Sequence, residues 1–332
     1  MGFIELKNLT KDFNGFRAVD NLSFSVEEGE IFGMLGPNGA GKTTTIFILC
    51  TLLGSTSGSA RVAGFDVGKD ETKVRENIGI VFQEVVVDDR LTAMENLRMK
   101  ANLYSMDKEV WKSKAEELLE LVELSDRKDD LVETYSGGMK RRLEIARGLL
   151  NKPKVLFLDE PTLGLDPQSK RWIWDYLKQL NEEEGVTILL TSHYMDEVDE
   201  LSDRIIIMDH GKEVILDTNE NLKKQLGKDM VRIKGEPDQE IMTKLRGLSF
   251  VNNVKTSTEG IEIGVNIPGG DATPDIMEIL YSNSYPFKSF TIQTPTLEDV
   301  FIYHTGKSLR DEGPDSSKSM KRKIGHRIRR RR

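Results

Sequence analysis

A glycine-rich segment at 36–43 carries the most specific chemistry in this sequence. It lies between an apolar run at 31–35 and a segment with helical character, which is the context in which a GxxxxGK[ST] pattern binds phosphate. Glycines let backbone N–H groups approach phosphate oxygens, and the helix N-terminus adds a partial positive charge. Lys42 is expected to neutralise the β- and γ-phosphates, and the Thr43 hydroxyl is expected to ligate Mg²⁺. The predicted nucleotide contacts are Gly36, Pro37, Asn38, Gly39, Ala40, Gly41, Lys42, Thr43 and Thr44.

Two acids, Asp159 and Glu160, end a second apolar run at 155–158. A buried strand would deliver Asp159 beside the phosphate loop, where its carboxylate can hold Mg²⁺. Glu160 would lie on the other side of the strand and face an attacking water, which makes it a candidate general base. An Asp-Glu pair at a strand end is usually part of a solvated loop. Together with the phosphate loop, it predicts the second half of a nucleotide site.

A third candidate is Ser136, which is followed by Gly137, Gly138 and a helical run to about 150. Serine is a good N-cap, and the two glycines allow the backbone to come close to a ligand. The helix would then point its N-terminal dipole and a hydroxyl at an anion. Taken alone, the pattern favours a simple capped helix. The basic residues at 140–142 fit a solvated helix face and are assigned no role.

The segment at 151–154 bears on whether the nucleotide carries adenine or guanine. The segment NKPK resembles the guanine-recognition pattern NKxD, but Lys154 stands where the aspartate is needed. We interpret this segment as a turn before the acidic strand. The expected nucleotide is therefore ATP rather than GTP.

The elements that must position these residues alternate between strand and helix. Apolar runs without alternation predict a mainly parallel sheet covered on both faces, with antiparallel strands near the N-terminus. The predicted fold class is α/β, a P-loop NTPase cassette at 1–222 with a helical subdomain inserted at about 91–150. A small α+β domain with βαββαβ order and a closing helix is predicted at 228–306. The polar, basic tail at 307–332 is predicted to be disordered.

Length and charge bound the class of protein. The 332 residues suit roughly two domains, and the formal net charge is −8. Nine of the 47 Lys and Arg residues lie at 318–332, a segment without Asp or Glu, so the rest of the chain carries 38 bases against 55 acids. An acidic body argues against a general nucleic-acid binder, because phosphate recognition needs a basic face.

Apolar runs and cysteine content indicate the compartment. No apolar run approaches the roughly 20 residues that a membrane helix needs, and the N-terminus lacks a signal-peptide pattern. The single cysteine, Cys50, excludes an intramolecular disulfide and suits a reducing compartment. The sequence therefore predicts a cytoplasmic protein without a membrane span of its own.

Taken in order, the motifs of the first 220 residues resemble an ATP-binding cassette (ABC) ATPase. The landmarks are GPNGAGKT, VFQE, YSGGM, VLFLDEPT, GLD and TSH. The resemblance implies that two copies pair head to tail, so that Ser136, Gly137 and Gly138 of one copy cap the γ-phosphate bound by the other. Tyr135 and Met139 depart from the Leu and Gln that the family commonly has there. We refer to 135–139 as the signature segment.

The same resemblance implies roles for four further residues. Gln83 resembles the residue that contacts Mg²⁺ and water and senses the membrane partner. His193 resembles the switch histidine that positions the γ-phosphate and the attacking water. Asp166 is similar to the residue that reaches across the dimer interface, and Phe13 to the aromatic that stacks on adenine. Phe16 competes with Phe13 for that role, and either could be plain core.

The C-terminal third resembles the ending of daunorubicin-resistance-type ABC ATPase subunits, most closely in PTLEDVFIYHTGKSLRDE at 295–312. That resemblance implies a homodimer that hydrolyses ATP and drives a separate membrane permease from the cytoplasmic face of the membrane, as an exporter of drugs or antibiotics. Anionic lipid is the expected partner of the basic tail. One alternative is a soluble ABC ATPase acting on ribosomes or DNA, but such proteins generally carry coiled coils, zinc modules or a second cassette. The other is a non-hydrolysing nucleotide sensor, which the intact catalytic set disfavours. The cargo and its direction cannot be inferred from these residues.

Overall fold

The computed structural model describes residues 2–257 and 259–306, and these divide into two compact units, one ending at Leu216 and the other beginning at Asp217. The sequence placed the end of the first domain at 222 and the start of the second at 228. The segment predicted to be a disordered tail, 307–332, lies outside the described residues. Within the described part of the chain, no helix is both long and apolar enough to cross a membrane.

The strands of the first unit form two sheets. In chain order they are β1 (Ile4–Phe13), β2 (Phe16–Val26), β3 (Ile31–Leu35), β4 (Ser57–Val62), β5 (Phe65–Asp66), β6 (Ile78–Val81), β7 (Val155–Asp159), β8 (Thr187–Ser192), β9 (Arg204–Asp209) and β10 (Lys212–Thr218). One sheet has the order β2-β1-β4-β5 with antiparallel pairing, and the other has the order β10-β9-β3-β8-β7-β6. The pairs β3–β8, β3–β9, β7–β8 and β6–β7 are parallel, so the carboxyl ends of these five strands meet at one edge. Every residue of β3, β7 and β8 is buried, which explains their apolar sequences without alternation.

Seven α-helices lie in the described part of the first unit. They are α1 (Lys42–Leu49), α2 (Glu71–Asn77), α3 (Ala93–Leu103), α4 (Lys108–Leu121), α5 (Gly137–Leu149), α6 (Pro167–Glu184) and α7 (Met195–Leu201). Helices α3, α4 and α5 pack on one another and form the predicted helical insertion. Their starts follow from local sequence, since Thr92, Asp107 and Ser136 each accept a hydrogen bond from a backbone N–H of the following first turn.

The second unit is a small α+β domain. Its elements are α8 (Asn219–Lys224), β11 (Asp229–Gly235), α9 (Gln239–Arg246), β12 (Val251–Ser257), β13 (Gly260–Val265), α10 (Gly269–Ser282), β14 (Phe287–Gln293) and α11 (Leu297–Thr305). The sheet order is β12-β13-β11-β14 with antiparallel pairing throughout. Buried side chains of α9 and α10 share one core with the sheet, and among them are Ile241, Leu245 and Ile276. The elements from β11 to β14 follow the βαββαβ order, and the predicted fold class is confirmed.

Candidate nucleotide site

The loop between β3 and α1 requires glycine at specific positions. A Cβ on Gly36 would lie 2.3 Å from the Met208 carbonyl oxygen, and a Cβ on Gly41 would lie 2.4 Å from the Ala18 carbonyl oxygen. Gly39 and Gly41 also have φ values of 87° and 100°, in the left-handed region that favours glycine. The sequence therefore folds here into a tight loop that leads directly into the N-terminus of α1. This is the geometry that binds phosphate.

Lys42 is the first residue of α1, and its ammonium lies back over the loop. Its Nζ donates to the carbonyl oxygen of Gly36 at 2.6 Å and to that of Pro37 at 3.1 Å. The same nitrogen lies 3.7 Å from Oε1 of Glu160. Burial lowers the pKa of Lys42, and the nearby carboxylates of Glu160 and Asp159 oppose that shift. The loop thus holds a buried positive charge where phosphates are expected to bind.

Asp159 is the last residue of β7 and is linked to the phosphate loop by a hydroxyl. Its Oδ1 accepts hydrogen bonds from Thr43 Oγ1 at 3.1 Å and from Thr191 Oγ1 at 2.6 Å. Burial raises the pKa of Asp159, while the bonds from Thr191 and Thr43 act in the opposite direction. The adjacent hydroxyl and carboxylate oxygens are the hard ligands that Mg²⁺ prefers, so these residues fit that ion. Gln83 lies half-buried two residues after β6, the strand beside β7, at the same edge of the sheet.

Glu160 follows Asp159 and adopts a backbone conformation that is rare outside glycine, with φ 53°. Its N–H donates to the carbonyl oxygen of Thr191 at 3.1 Å and lies 3.2 Å from the hydroxyl of the same residue. Its carboxylate is buried between two partners, because Oε1 faces Lys42 and Oε2 lies 2.5 Å from Nδ1 of His193. Strained backbone conformations cluster at functional sites, where the surrounding structure maintains them. The structure therefore brings three of the predicted residues, Lys42, Glu160 and His193, into one chain of contacts.

The signature segment begins α5 with a side-chain cap. Ser136 Oγ accepts from the N–H of Met139 at 3.2 Å, as the sequence predicts for an N-cap. Gly138 packs closely against α6, and a Cβ there would lie 2.4 Å from Ser169 Oγ. Tyr135, one of the two departures from the family pattern, is buried, and its hydroxyl donates to the Arg127 carbonyl oxygen at 2.5 Å. The buried ring and this hydrogen bond therefore fix the start of the signature segment.

Asp166 lies at the N-terminus of α6. Its carboxylate caps that helix by accepting from Ser169 N at 2.9 Å and from Ser169 Oγ at 2.6 Å. These hydrogen bonds lower the pKa of Asp166. The structure thus gives the side chain a local partner, and its role across a dimer interface stays a prediction.

The two candidates for stacking on adenine lie together at the β1–β2 turn. Phe13 pairs with Phe16 in the strand register, and Phe16 is the more exposed of the two. Lys11 Nζ lies 5.1 Å from the centroid of the Phe13 ring. Because Ala18 of β2 contacts Gly41, this turn lies next to the phosphate loop. Both aromatic residues remain candidates.

Arg141 corrects the sequence interpretation of 140–142 as a solvated face. Its side chain is buried, and its guanidinium donates to carbonyl oxygens of Phe82, Asp159, Glu160 and Pro161. The buried positions of α5 include 138, 141, 145 and 148, so helical spacing was the signal that places this residue inside. The physical reason for its burial is that four carbonyls and one carboxylate satisfy its donors.

A second buried charge missed by the sequence analysis is Glu197, on α7 just after His193. Its carboxyl group is fully buried, and Trp174 Nε1 donates to Oε1 at 3.2 Å. Burial raises the pKa of Glu197. The group helps to fix α7, and with it the segment that carries His193.

Comparison with known proteins gives matches over both units. The family model described as "ABC transporter" matches residues 19–163, and the model described as "ATP-binding protein DrrA1-3-like, C-terminal domain" matches residues 218–305. The linearmycin resistance ATP-binding protein of Bacillus subtilis is 38% identical, over 93% of this chain and 100% of that protein. The daunorubicin/doxorubicin resistance ATP-binding protein of Streptomyces peucetius is also 38% identical, over 95% of this chain and 96% of that protein. The Nod factor export ATP-binding protein I of Ralstonia nicotianae is 33% identical, over 93% of this chain and 95% of that protein.

Solved structures resemble about two thirds of the chain. A dimeric ATP-binding cassette in a post-hydrolysis state, bound to ADP and Pi, has 30% identity and a TM-score of 0.60, covering 65% of this chain and 98% of that one. A part of the cbiONQ ABC transporter complex from Clostridium perfringens, cbiO1, has 27% identity and a TM-score of 0.62. The match covers 67% of this chain and 90% of that one.

Proposed function

The chain belongs to the ATP-binding subunits of ABC transporters and is an ABC-type ATPase, and on this premise we propose that it drives a separate permease in the export of drugs, antibiotics or other hydrophobic compounds. The observation that carries the catalytic part is the position of the Glu160 carboxylate between Lys42 and His193. That position lies at the carboxyl edge of the sheet, beside the hydroxyl–carboxylate pair of Thr43 and Asp159.

In the proposed reaction, Lys42 exchanges the carbonyls of Gly36 and Pro37 for the β- and γ-phosphates of ATP. Thr43, Asp159 and Gln83 would hold Mg²⁺, which supplies positive charge to those phosphates when bound. Glu160 accepts a proton from the attacking water, whose oxygen forms a bond to the γ-phosphorus as the bond to the β-phosphate oxygen breaks. His193 orients the Glu160 carboxylate and offers its other ring nitrogen to the γ-phosphate and the water. The products are ADP and phosphate.

A head-to-tail homodimer would complete this site. The N-terminus of α5, with the hydroxyl of Ser136 and the backbone of Gly137 and Gly138, would cap the γ-phosphate bound by the other copy. ATP binding would then close the pair, and hydrolysis would reopen it. The dimeric cassette among the similar structures supports this arrangement.

The proposed permease surface lies on the helical insertion and the segment that leads into it. Val85, Val86, Met99 and Leu103 are large apolar side chains that are exposed there, and Leu103 is 78% exposed. Grouped exposed apolar side chains mark surfaces that bind other proteins. The surface is linked to α5 because the N–H of Val86 donates to Oε1 of Glu144 at 2.5 Å, and Arg147 donates to the Val86 carbonyl oxygen at 2.9 Å.

Export of a hydrophobic compound is favoured by the names of two relatives that match nearly the whole chain, which are resistance proteins for linearmycin and for daunorubicin/doxorubicin. The relatives give no support to action on ribosomes or DNA. We propose the cytoplasmic face of the cell membrane as the location. We also propose that the nine basic residues at 318–332, which lie outside the described residues, bind anionic lipid.

Inverted membrane vesicles test the proposal. The chain is co-expressed with a candidate permease, and ATP-dependent uptake of doxorubicin, which is fluorescent, is measured. We expect uptake with the wild-type chain and none with Lys42→Ala. Co-purification of the chain with ribosomes, and no association with a membrane protein, would contradict the proposal.

A further inference from the structure

Arg141 joins three segments that belong to different parts of the site. It projects from α5, the helix that begins at the signature segment. Its Nε donates to the Pro161 carbonyl oxygen at 2.6 Å, and one terminal nitrogen donates to the Glu160 carbonyl oxygen at 3.0 Å and the Asp159 carbonyl oxygen at 3.3 Å. The other terminal nitrogen donates to the carbonyl oxygen of Phe82, the residue before Gln83.

We propose that Arg141 is a positioning residue for ATP hydrolysis, which fixes the backbone of Glu160 and ties the segment at 82–86 to it. The inference rests on the proposed role of Glu160 as the base. Arg141 acts through that residue, because its own donors are all directed at protein oxygens in the structure.

Arg141 holds the backbone on both sides of Glu160. Glu160 has the left-handed φ of 53°, so its side-chain direction depends on a backbone conformation that must be held from outside. Arg141 contacts the carbonyls on both sides of this residue as well as its own. A guanidinium is planar and presents its N–H groups in a rigid fork, so it can define the relative positions of several acceptors at once. A displacement of about 1 Å at a reacting group can cost about a hundredfold in rate.

Glu144 balances the buried charge of Arg141. A buried cation with only carbonyl partners is costly, and Arg141 is compensated by Glu144, whose Oε2 lies 3.0 Å from its terminal nitrogen. The other oxygen of Glu144 accepts from the N–H of Val86 at 2.5 Å. The pair therefore connects an exposed residue of the proposed permease surface to the carboxyl end of β7 through two buried side chains.

Steady-state kinetics of the full chain test the proposal with Arg141→Met, which keeps the apolar stem and removes every donor. We expect kcat to fall by about 10- to 100-fold with a KM for ATP within about twofold of wild type, because ATP is bound by the phosphate loop and not by Arg141. Arg141→Lys keeps a charge opposite Glu144 but not the fork, so we expect it to restore the thermal midpoint more fully than kcat. If Arg141→Met fails to fold, Arg141→Lys tests the proposal alone: a thermal midpoint close to wild type with a reduced kcat supports it.

Arg204→Met is the matched control. Arg204 also pairs with a buried glutamate, Glu30, at 3.3 Å and donates to the Ser25 carbonyl oxygen, but its partners lie away from the site. We expect this control to lower the thermal midpoint and leave kcat close to wild type. The proposal would be overturned if Arg141→Met had the same kcat as the control, if kcat and ATP affinity were lost together, or if Arg141→Lys had the wild-type kcat. A Glu160→Gln protein with wild-type activity would instead remove the base assignment, whatever the Arg141 variants do.

Discussion

Nδ1 of His193 lies 2.5 Å from Oε2 of Glu160, and the backbone N–H of His193 points at the same oxygen from 3.4 Å. The carboxylate accepts from Nδ1 at this distance, which leaves Nε2 as the ring nitrogen proposed to meet the γ-phosphate and the water. The two residues therefore define one another's orientation at the carboxyl edges of neighbouring strands β7 and β8.

Removing the imidazole should impair hydrolysis more than ATP binding. We expect His193→Ala to lower kcat by about 10²-fold, a typical share for a residue that orients a proton acceptor, with little change in the dissociation constant for ATP. His210→Ala is the control, because His210 is exposed and takes no part in the Glu160–His193 contact. Equal kcat values for the two variants would show that the Glu160–His193 contact has no catalytic role.

The two glycines of the signature segment should differ in stability when a methyl group is added. Gly138→Ala places a Cβ 2.4 Å from Ser169 Oγ, whereas at Gly137 the nearest atom is 3.8 Å away on Leu165. We expect Gly138→Ala to lower the free energy of unfolding by about 1–3 kcal/mol, as overpacking does, and Gly137→Ala to change it by less than about 0.5 kcal/mol. Urea unfolding measures both, and equal losses would contradict the packing of α5 on α6.

Lys100, on α3, gives a pH dependence with a definite sign. Burial, with Arg147 nearby, lowers its pKa from 10.5 to about 8, so the folded protein releases this proton more easily than the unfolded chain. The ammonium therefore destabilises the fold below pH 8, and this cost disappears as the pH rises from about 8 to 10.5. We expect Lys100→Met to be stabilising by about 1–3 kcal/mol at pH 7, with the gain shrinking across that window. Unfolding midpoints at pH 7 and above test this, and a gain that grows with pH would contradict it.

The basic tail should bind anionic membranes through charge alone. Each basic residue near an anionic surface contributes about 1 kcal/mol, and the attraction is screened by salt. We expect the full chain to sediment with vesicles that contain phosphatidylserine at low salt and to dissociate at high salt, and a chain that lacks 318–332 not to bind. Binding that is independent of salt, or that survives the deletion, would exclude the lipid proposal.

Local sequence was sufficient to predict some contacts and insufficient for others. The phosphate loop and the Ser136 cap are formed within a few residues, so their patterns carry the geometry. Thr43 and Asp159 were each predicted as Mg²⁺ ligands, and their hydrogen bond brings the two oxygens together. The Glu160–His193 contact was not predicted, because it depends on β7 and β8 being neighbours and on the left-handed backbone of Glu160.

The burial of two charged side chains was not predicted from the sequence. Arg141 and Glu197 have residue types that are usually exposed, so composition suggested a solvated position. Arg141 is bound by backbone carbonyls from distant segments. Glu197 accepts from the indole N–H of Trp174 on α6. Such partners come together only in the folded chain. The spacing of buried positions on α5 was nevertheless a usable signal for Arg141.

The central claim is that ATP closes two copies of the chain head to tail and that Glu160 is needed to reopen them. Sedimentation velocity of Glu160→Gln at micromolar protein, with and without Mg²⁺ and ATP, tests both parts when ATP turnover is measured on the same samples. We predict a monomer without ATP, a dimer with ATP, and turnover at least about 10²-fold below wild type. A variant that stays monomeric with ATP, or that hydrolyses ATP at the wild-type rate, would contradict the account.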